Sequence, residues 1–92
     1  MEKDSGGNMV NLVYFARLRE ELGLNSEEVV LPQGVRDVAG LTEWLRGRGR
    51  AWDSEFAPGK NVRVAVNLEI AGQATLIADG DEVAFFPPVT GG

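Results

Sequence analysis

The sequence predicts an α+β domain in which a mixed β-sheet carries one main helix packed on one face. Two β-type segments precede one amphipathic helical segment, and two more β-type segments follow it. The length of 92 residues suffices for only one domain. Because helical crossovers are right-handed and tend to return beside an earlier strand, all these strands are expected in one sheet.

The first three predicted elements lie in the N-terminal third of the chain. Val10, Leu12 and Tyr14 alternate with the residues between them, which is the period of a half-buried strand. Residues 16–22 predict a short helical turn that Gly23 closes. A second β-rich segment covers residues 27–31 and ends at the turn residues that follow Leu31.

The main helix is predicted to begin after Asp37, whose side chain is a favourable N-cap. Val38, Leu41 and Leu45 are spaced so that they share one face of this helix. Gly47 ends it, and Gly49 follows shortly after.

Two features follow the main helix. Arg46, Arg48 and Arg50 form the only basic run, which we interpret as a solvated helix end whose charge suits the helix dipole. Trp52 and Phe56 are four residues apart and are predicted to seal the bottom of the core rather than to hold a cofactor.

The remaining elements complete a β-grasp arrangement. Val62, Val64 and Val66 indicate a third strand that turns near Asn67. Leu76 and Ile77 are predicted packing anchors in the connection, residues 79–81 form a turn, and residues 82–86 form the last strand. In this arrangement the last strand lies beside the first in the middle of the sheet.

The two faces of the sheet have different predicted roles. The residues predicted to face the helix are Val10, Leu12, Tyr14, Val64, Val66, Val83 and Phe85. On the opposite face Phe15 and Phe86 are expected close together, with Ile70 near them. Such an apolar patch suggests a partner site. The alternative is that the helical turn at residues 16–22 folds over part of the patch.

The C-terminal residues carry the sharpest functional signal. The last strand stops at Pro87 and Pro88, Val89 and Thr90 follow, and the sequence closes on Gly91-Gly92. Each proline fixes φ and lacks an N–H, so the backbone leaves the sheet along an extended path of roughly 20 Å. Because Gly91 and Gly92 carry no Cβ, the terminal carboxylate can pass through a channel that is too narrow for any other residue. We therefore predict that the terminal carboxylate is the working group; a frayed terminus or a cloning remnant is the alternative.

Composition excludes several function classes. The sequence has no cysteine and no histidine, which removes thiolate chemistry, the commonest general base and the usual zinc ligands. It also has no glycine-rich phosphate loop. We therefore expect no metal, no bound cofactor and no self-sufficient enzyme.

Charge and hydropathy predict the kind of partner and the cellular location of the protein. The net charge of −5 argues against nucleic acid and anionic membranes and favours a protein partner with a basic surface. No apolar run resembles a membrane span or a signal peptide, which predicts a cytoplasmic protein. We divide the chain into a disordered lead (residues 1–8), the folded domain (residues 9–86) and the extended tail (residues 87–92).

Three segments carry a resemblance to a known family. The ending DGDEVAFFPPVTGG, together with VYFARLRE and VAVN, resembles the MoaD branch of the MoaD/ThiS sulfur-carrier proteins, the small subunits of molybdopterin synthase. The resemblance begins at Met9 and covers nearly all the rest of the chain. The extra lead and Gly40, found where an acidic residue would be unsurprising, depart from the family pattern.

The resemblance implies a mechanism and a set of partners. An adenylating enzyme of the ubiquitin-activating type would use ATP to activate the Gly92 carboxylate, and a sulfur donor would convert it to a thiocarboxylate. The tail would then enter the large subunit of molybdopterin synthase, in an implied heterotetramer, and deliver sulfur to the cyclic pterin precursor. The chain would be a non-autonomous subunit of that enzyme.

Each tail and patch residue has a predicted role. Gly92 carries the sulfur, Gly91 admits the tail to the channel, and Pro87 and Pro88 keep it extended, while Phe15, Ile70 and Phe86 form the interface. The alternatives are a sulfur carrier for thiazole (thiamine) synthesis or tRNA thiolation, a ubiquitin-like modifier of proteins, and a non-covalent binding module.

Overall fold

A computed structural model describes residues 8–88, which form five strands and three helices. The elements in chain order are β1 (Met9–Tyr14), α1 (Ala16–Leu22), β2 (Ser26–Val30), α2 (Val38–Arg46), α3 (Ala51–Glu55), β3 (Arg63–Val66), β4 (Glu69–Ala71) and β5 (Glu82–Phe86). Residues 1–7 of the predicted lead lie outside the described residues. The carbonyl of Asn8 accepts a hydrogen bond from the N–H of Leu31, 2.8 Å away.

The sheet has the strand order β2-β1-β5-β3-β4. The first and last strands pair in parallel in its centre, and every other pair is antiparallel. In the central pair Leu12 lies opposite Val83, and Tyr14 lies opposite Phe85. This is the predicted β-grasp arrangement, with the last strand beside the first.

One face of the sheet supplies the core. Val10, Leu12, Tyr14, Val83 and Phe85 pack in a single cluster with Leu18 of α1 and with Val38, Leu41 and Leu45 of α2. Four aromatic rings line one end of this cluster, with Phe85 in contact with both Tyr14 and Phe56. The predicted division of the first and last strands into two faces is therefore confirmed.

The main helix begins where the sequence predicts. Asp37 is extended, and its Oδ1 accepts a hydrogen bond from the N–H of Gly40 at 2.8 Å, so it caps α2. A Cβ at residue 40 would lie 3.2 Å from the same Oδ1. Close approach to the cap therefore accounts for glycine at a position where an acidic residue was unsurprising.

Two short elements were not predicted from the sequence. Helix α3 begins after Arg50, whose positive φ of 53° changes the direction of the chain between α2 and α3. Strand β4 has three residues and follows a tight hairpin turn in which Asn67 and Leu68 both have positive φ. Leucine is an unusual residue for that position, so the usual Asn-Gly signal of a hairpin is missing from the sequence.

One interpretation of a single residue was wrong and another was incomplete. Leu76 is 69% exposed, so of the two predicted packing anchors only Ile77 reaches the core. Arg48 is exposed just after the end of α2, as predicted, but it also makes specific contacts that were not predicted. Its guanidinium lies over the rings of Trp44 and Trp52, 4.9 and 4.4 Å from their centroids, and it donates two hydrogen bonds to Glu27.

The alternative fold-over of α1 is not observed. Leu18 of this helix is buried in the main core, and α1 contacts α3 and β5. All three helices therefore lie on the core side of the sheet or at its end, and the residues described leave the opposite face of β1, β5 and β3 without a covering helix.

Candidate tail root and partner-binding face

The strand that leads to the tail lies in the centre of the sheet. Strand β5 pairs with β1 on one side and with β3 on the other, and it ends at Phe86. Pro87 and Pro88, which follow directly, are half-buried. Because neither proline has an N–H to continue a ladder, the chain leaves the sheet here, as predicted. Val89, Thr90, Gly91 and Gly92 lie outside the described residues.

The open face of the sheet carries a row of small and apolar side chains. The register places Val13, Ala84, Ala65 and Ile70 side by side across four strands. Ala65 and Ala84 are buried, although they do not belong to the helix-side cluster. The centre of this face is therefore flat and apolar, which suits contact with another surface.

The predicted patch residues lie on this open face, but they are not all neighbours. Phe15 extends β1 by one residue, donates its N–H to the carbonyl of Phe85 and is 46% exposed. That position brings it beside Phe86, two residues further along β1 and β5 than Val13 and Ala84. Ile70, 65% exposed, lies on edge strand β4 and is separated from Phe86 by β3.

Arg63 is a further residue of this end of the face, and sequence analysis did not select it. It lies directly opposite Phe86 in the antiparallel pair of β3 and β5 and is exposed. The tail root, which we define as residues 86–88, therefore has an aromatic side chain and a cation next to each other on the open face.

A groove of about 290 Å³ lies on the other side of the tail root. Its walls are formed by Arg17, Leu18, Glu55, Lys60, Val62, Pro87 and Pro88. Sequence analysis missed it because it depends on α3, which was not predicted. The only hint was the Trp52–Phe56 spacing, which we interpreted as core packing alone.

The groove contains an ion pair at its α1–α3 wall, between the exposed Arg17 and the buried Glu55. Nε and Nη2 of Arg17 each lie 3.3 Å from a carboxylate oxygen of Glu55, whose side chain is 8% exposed. The hydrogen bond and the negative charge of Glu55 raise the pKa of Arg17. A buried carboxylate needs such a partner, so Arg17 holds α1 against α3 beside the tail root.

A second polar network fixes the edge of the sheet. The hydroxyl of Tyr14 donates to Glu27 Oε2 at 2.8 Å, and Arg48 Nη1 lies 2.7 Å from the same oxygen. Burial, followed by the bond to Glu27, raises the pKa of Tyr14. Burial alone would raise the pKa of Glu27, but the hydrogen bonds from Arg48 and Tyr14 and the charge of Arg48 bring it below its ordinary value.

Within residues 8–88 no group of three or more Asp or Glu side chains is arranged to hold a metal ion. The same residues contain no helix whose length and apolar character would let it cross a bilayer.

Comparison with known proteins shows the family to which this chain belongs. The model of the ThiS family matches residues 12–92, which includes both the open-face strands and the last glycine. The chain belongs to the ThiS family.

Curated relatives of the family cover most of the chain. The molybdopterin synthase sulfur carrier subunits of Haemophilus influenzae and Escherichia coli are 34% and 36% identical to it. Each alignment covers 91% of this chain and the whole of the relative. Small archaeal modifier protein 3 of Haloferax volcanii is 34% identical, over 90% of this chain and 98% of that protein.

A solved structure agrees with the observed topology of this family member. The putative molybdopterin converting factor subunit 1 of Pyrococcus furiosus superposes with a TM-score of 0.72 and 33% sequence identity. The superposition covers 89% of this chain and 99% of that one.

Proposed function

We propose that this ThiS-family protein is the sulfur-carrier subunit of a molybdopterin synthase and that the terminal carboxylate of Gly92 carries the sulfur. The observation that carries the proposal is the family match through residue 92, together with alignments that span the full length of two molybdopterin synthase sulfur carrier subunits. The exit of the tail from the central strand, at two prolines, supports the same assignment.

The proposed chemistry begins with activation by another protein. A carboxylate is a poor acceptor of sulfur because its oxygen is a poor leaving group. An adenylating enzyme of the ubiquitin-activating type would join this oxygen to the α-phosphorus of ATP and release pyrophosphate. Sulfur supplied by the donor at the oxidation level of sulfide would then attack the acyl carbon, AMP would leave, and loss of the proton on sulfur would yield the thiocarboxylate.

The second stage returns the carrier to its starting form. The thiocarboxylate sulfur is anionic and nucleophilic, for the same reason that thiolate is the reactive form of cysteine. It would attack a carbon of the cyclic pterin precursor and displace the oxygen substituent of that carbon, and water would then cleave the bond between the acyl carbon and the sulfur. This hydrolysis leaves the sulfur on the precursor and restores the Gly92 carboxylate.

The open face gives this carrier a docking surface for the large subunit of the synthase. Phe15 and Phe86 lie beside the point where the tail leaves the sheet, and Ile70 extends the apolar surface to edge strand β4. A large subunit bound to this face would lie next to the point at which the tail leaves the sheet. The implied assembly is a heterotetramer of two small and two large subunits.

The test is the intact mass of the protein isolated from its native cells. A fraction heavier by one oxygen-to-sulfur exchange, located at Gly92 by fragmentation, is the expected result. The fraction should disappear when purified synthase large subunit and the pterin precursor are added. A terminus that stays unmodified with ATP, adenylating enzyme and a sulfur donor all present would contradict the proposal.

A second candidate is a ubiquitin-like modifier, favoured by the 34% identity to small archaeal modifier protein 3. The same adenylated Gly92 would then be joined to lysines of other proteins. Isopeptide-linked adducts of the chain in its native cells, with no thiocarboxylate and no bound synthase large subunit, would favour this function over sulfur transfer.

A further inference from the structure

The tail root is flanked by two different surfaces. The open-face patch, with Phe15 and Phe86, lies on one side. The groove lined by Leu18, Val62 and the two prolines lies on the other. Since Pro87 directly follows Phe86, the two surfaces meet at the first residue of the tail.

The groove has a net positive character in an acidic protein. Arg17 and Glu55 neutralise each other within it. Lys60 is exposed and has no carboxylate of residues 8–88 within ion-pair distance. The groove therefore presents an exposed cation, although the chain as a whole carries a net charge of −5.

Charge is distributed unequally along β5. The strand begins beside Asp79 and Asp81 with Glu82, and it ends beside Arg63 and the Lys60 groove. A partner that reads this distribution can distinguish the tail end of the sheet from the opposite end, because like charges brought together across an interface are strongly unfavourable.

A channel that accepts the tail must open close to this groove. Gly92, the proposed carrier of the sulfur, is the fourth residue after Pro88, and four extended residues reach at most roughly 13 Å. Because Pro87 and Pro88 themselves form one wall of the groove, a protein surface that encloses the next residues also lies against Lys60.

We infer that the groove beside the tail root is a second docking contact, which receives an acidic side chain from the mouth of the tail channel of the synthase large subunit. The inference rests on the proposed function. Its two grounds are the charge of Lys60, which no carboxylate within residues 8–88 pairs, and the continuity of the groove with the open-face patch through Phe86 and Pro87. An apolar stem of the incoming side chain packs on Val62 and the two prolines, which are half-buried.

The test compares charge reversals that alter the net charge equally. Lys60→Glu lies in the groove, whereas Arg36→Glu is an exposed control outside it, on the segment whose carbonyl accepts from Ile77. Binding to the purified large subunit is measured by titration calorimetry and by association kinetics at several salt concentrations. We expect Lys60→Glu to weaken binding about tenfold or more and to reduce its salt dependence, with Arg36→Glu within about twofold of the parent chain.

A third variant moves the affinity in the opposite direction. Glu55→Gln removes the negative charge of the groove while its amide oxygen still accepts from Arg17, so it should tighten binding two- to fivefold, by the same electrostatic reasoning. Thermal unfolding of each variant shows whether the fold is kept. Loss of the fold in Glu55→Gln leaves the decision to Lys60→Glu, whose side chain is exposed.

The outcomes separate this inference from the proposed function. If the parent chain binds the large subunit and Lys60→Glu binds as Arg36→Glu does, the groove contact is wrong and the carrier function stands. If Lys60→Glu weakens binding to the adenylating enzyme but not to the large subunit, the inference is also wrong. If the parent chain does not bind the large subunit at all, the proposed function fails together with the inference.

Discussion

Phe85 and Phe86 are neighbours in β5 with opposite surroundings. Phe85 is 0% exposed and contacts Tyr14 and Phe56 in the core, whereas Phe86 is only half-buried on the open face, opposite Arg63. Alternation along one strand thus assigns one phenylalanine to the stability of the domain and leaves the next available to a partner.

Replacement of these two residues should separate folding from binding. Phe86→Asp should cost about 1 kcal/mol of stability, because aspartate is poorly suited to a strand, yet it should weaken binding to the large subunit by more than about 2 kcal/mol. Phe85→Ala is the matched control and should cost about 3–5 kcal/mol. Urea unfolding and calorimetric titration measure both quantities, and unfolding of Phe86→Asp would mean that this residue belongs to the core.

Deletion of Gly92 should abolish sulfur loading without affecting the fold. Among the described residues the core cluster is built from residues between Val10 and Phe85, and Gly92 has no side chain to add to it. We expect a thermal midpoint unchanged within about 1 °C, because surface changes far from packed groups have little effect. Mass spectrometry after incubation with ATP, adenylating enzyme and sulfur donor should show no thiocarboxylate. Loading at the parent rate would contradict the proposed site.

The two prolines should matter for binding more than for stability. Proline at a compatible position limits the unbound conformations of the chain by about 0.4–1 kcal/mol per residue. Replacement of both Pro87 and Pro88 with alanine should therefore weaken tail insertion by about 1–2 kcal/mol, or roughly five- to thirtyfold. Titration of the large subunit with the double variant measures this loss. An affinity equal to that of the parent chain would show that tail stiffness has no role.

Acid should destabilise the domain partly through Glu27. Its pKa in the folded protein is below the ordinary value of 4.5, so the unfolded chain binds its proton first as the pH falls. The stability from this group is present above that ordinary value and is lost as the pH falls through the lowered pKa. Glu27→Gln should be less stable near pH 7, and its deficit should shrink on acidification. Urea unfolding between pH 7 and pH 3 tests this; a deficit independent of pH would be the contrary result.

The sequence predicted the elements that have strong periodicity and defined ends. Val10, Leu12 and Tyr14 alternate cleanly, and Asp37 marks the start of a helix with a regular apolar face, so strands β1 and β5 and helix α2 were located correctly. Their order is enough to predict a sheet with the first and last strands at its centre, because few right-handed arrangements remain.

The missed features are those that only tertiary contacts stabilise. Strand β4 is too short to show a period, and its hairpin turn uses Leu68 where glycine is usual. Arg48 resembles any solvated arginine in the sequence, since its partners Glu27, Trp44 and Trp52 come from three different elements. The groove at the tail root was missed for the same reason: its walls come from α1, α3, the loop between α3 and β3, and the two prolines.

The parallel pairing of β1 and β5 has a mechanical consequence. A force applied along the tail is transmitted to a strand that is hydrogen-bonded on both sides, and it loads those ladders in shear rather than opening them one bond at a time. Many hydrogen bonds must then break together before the strand slides. A tail gripped tightly by an enzyme can therefore be pulled free repeatedly while the domain behind it survives each cycle intact.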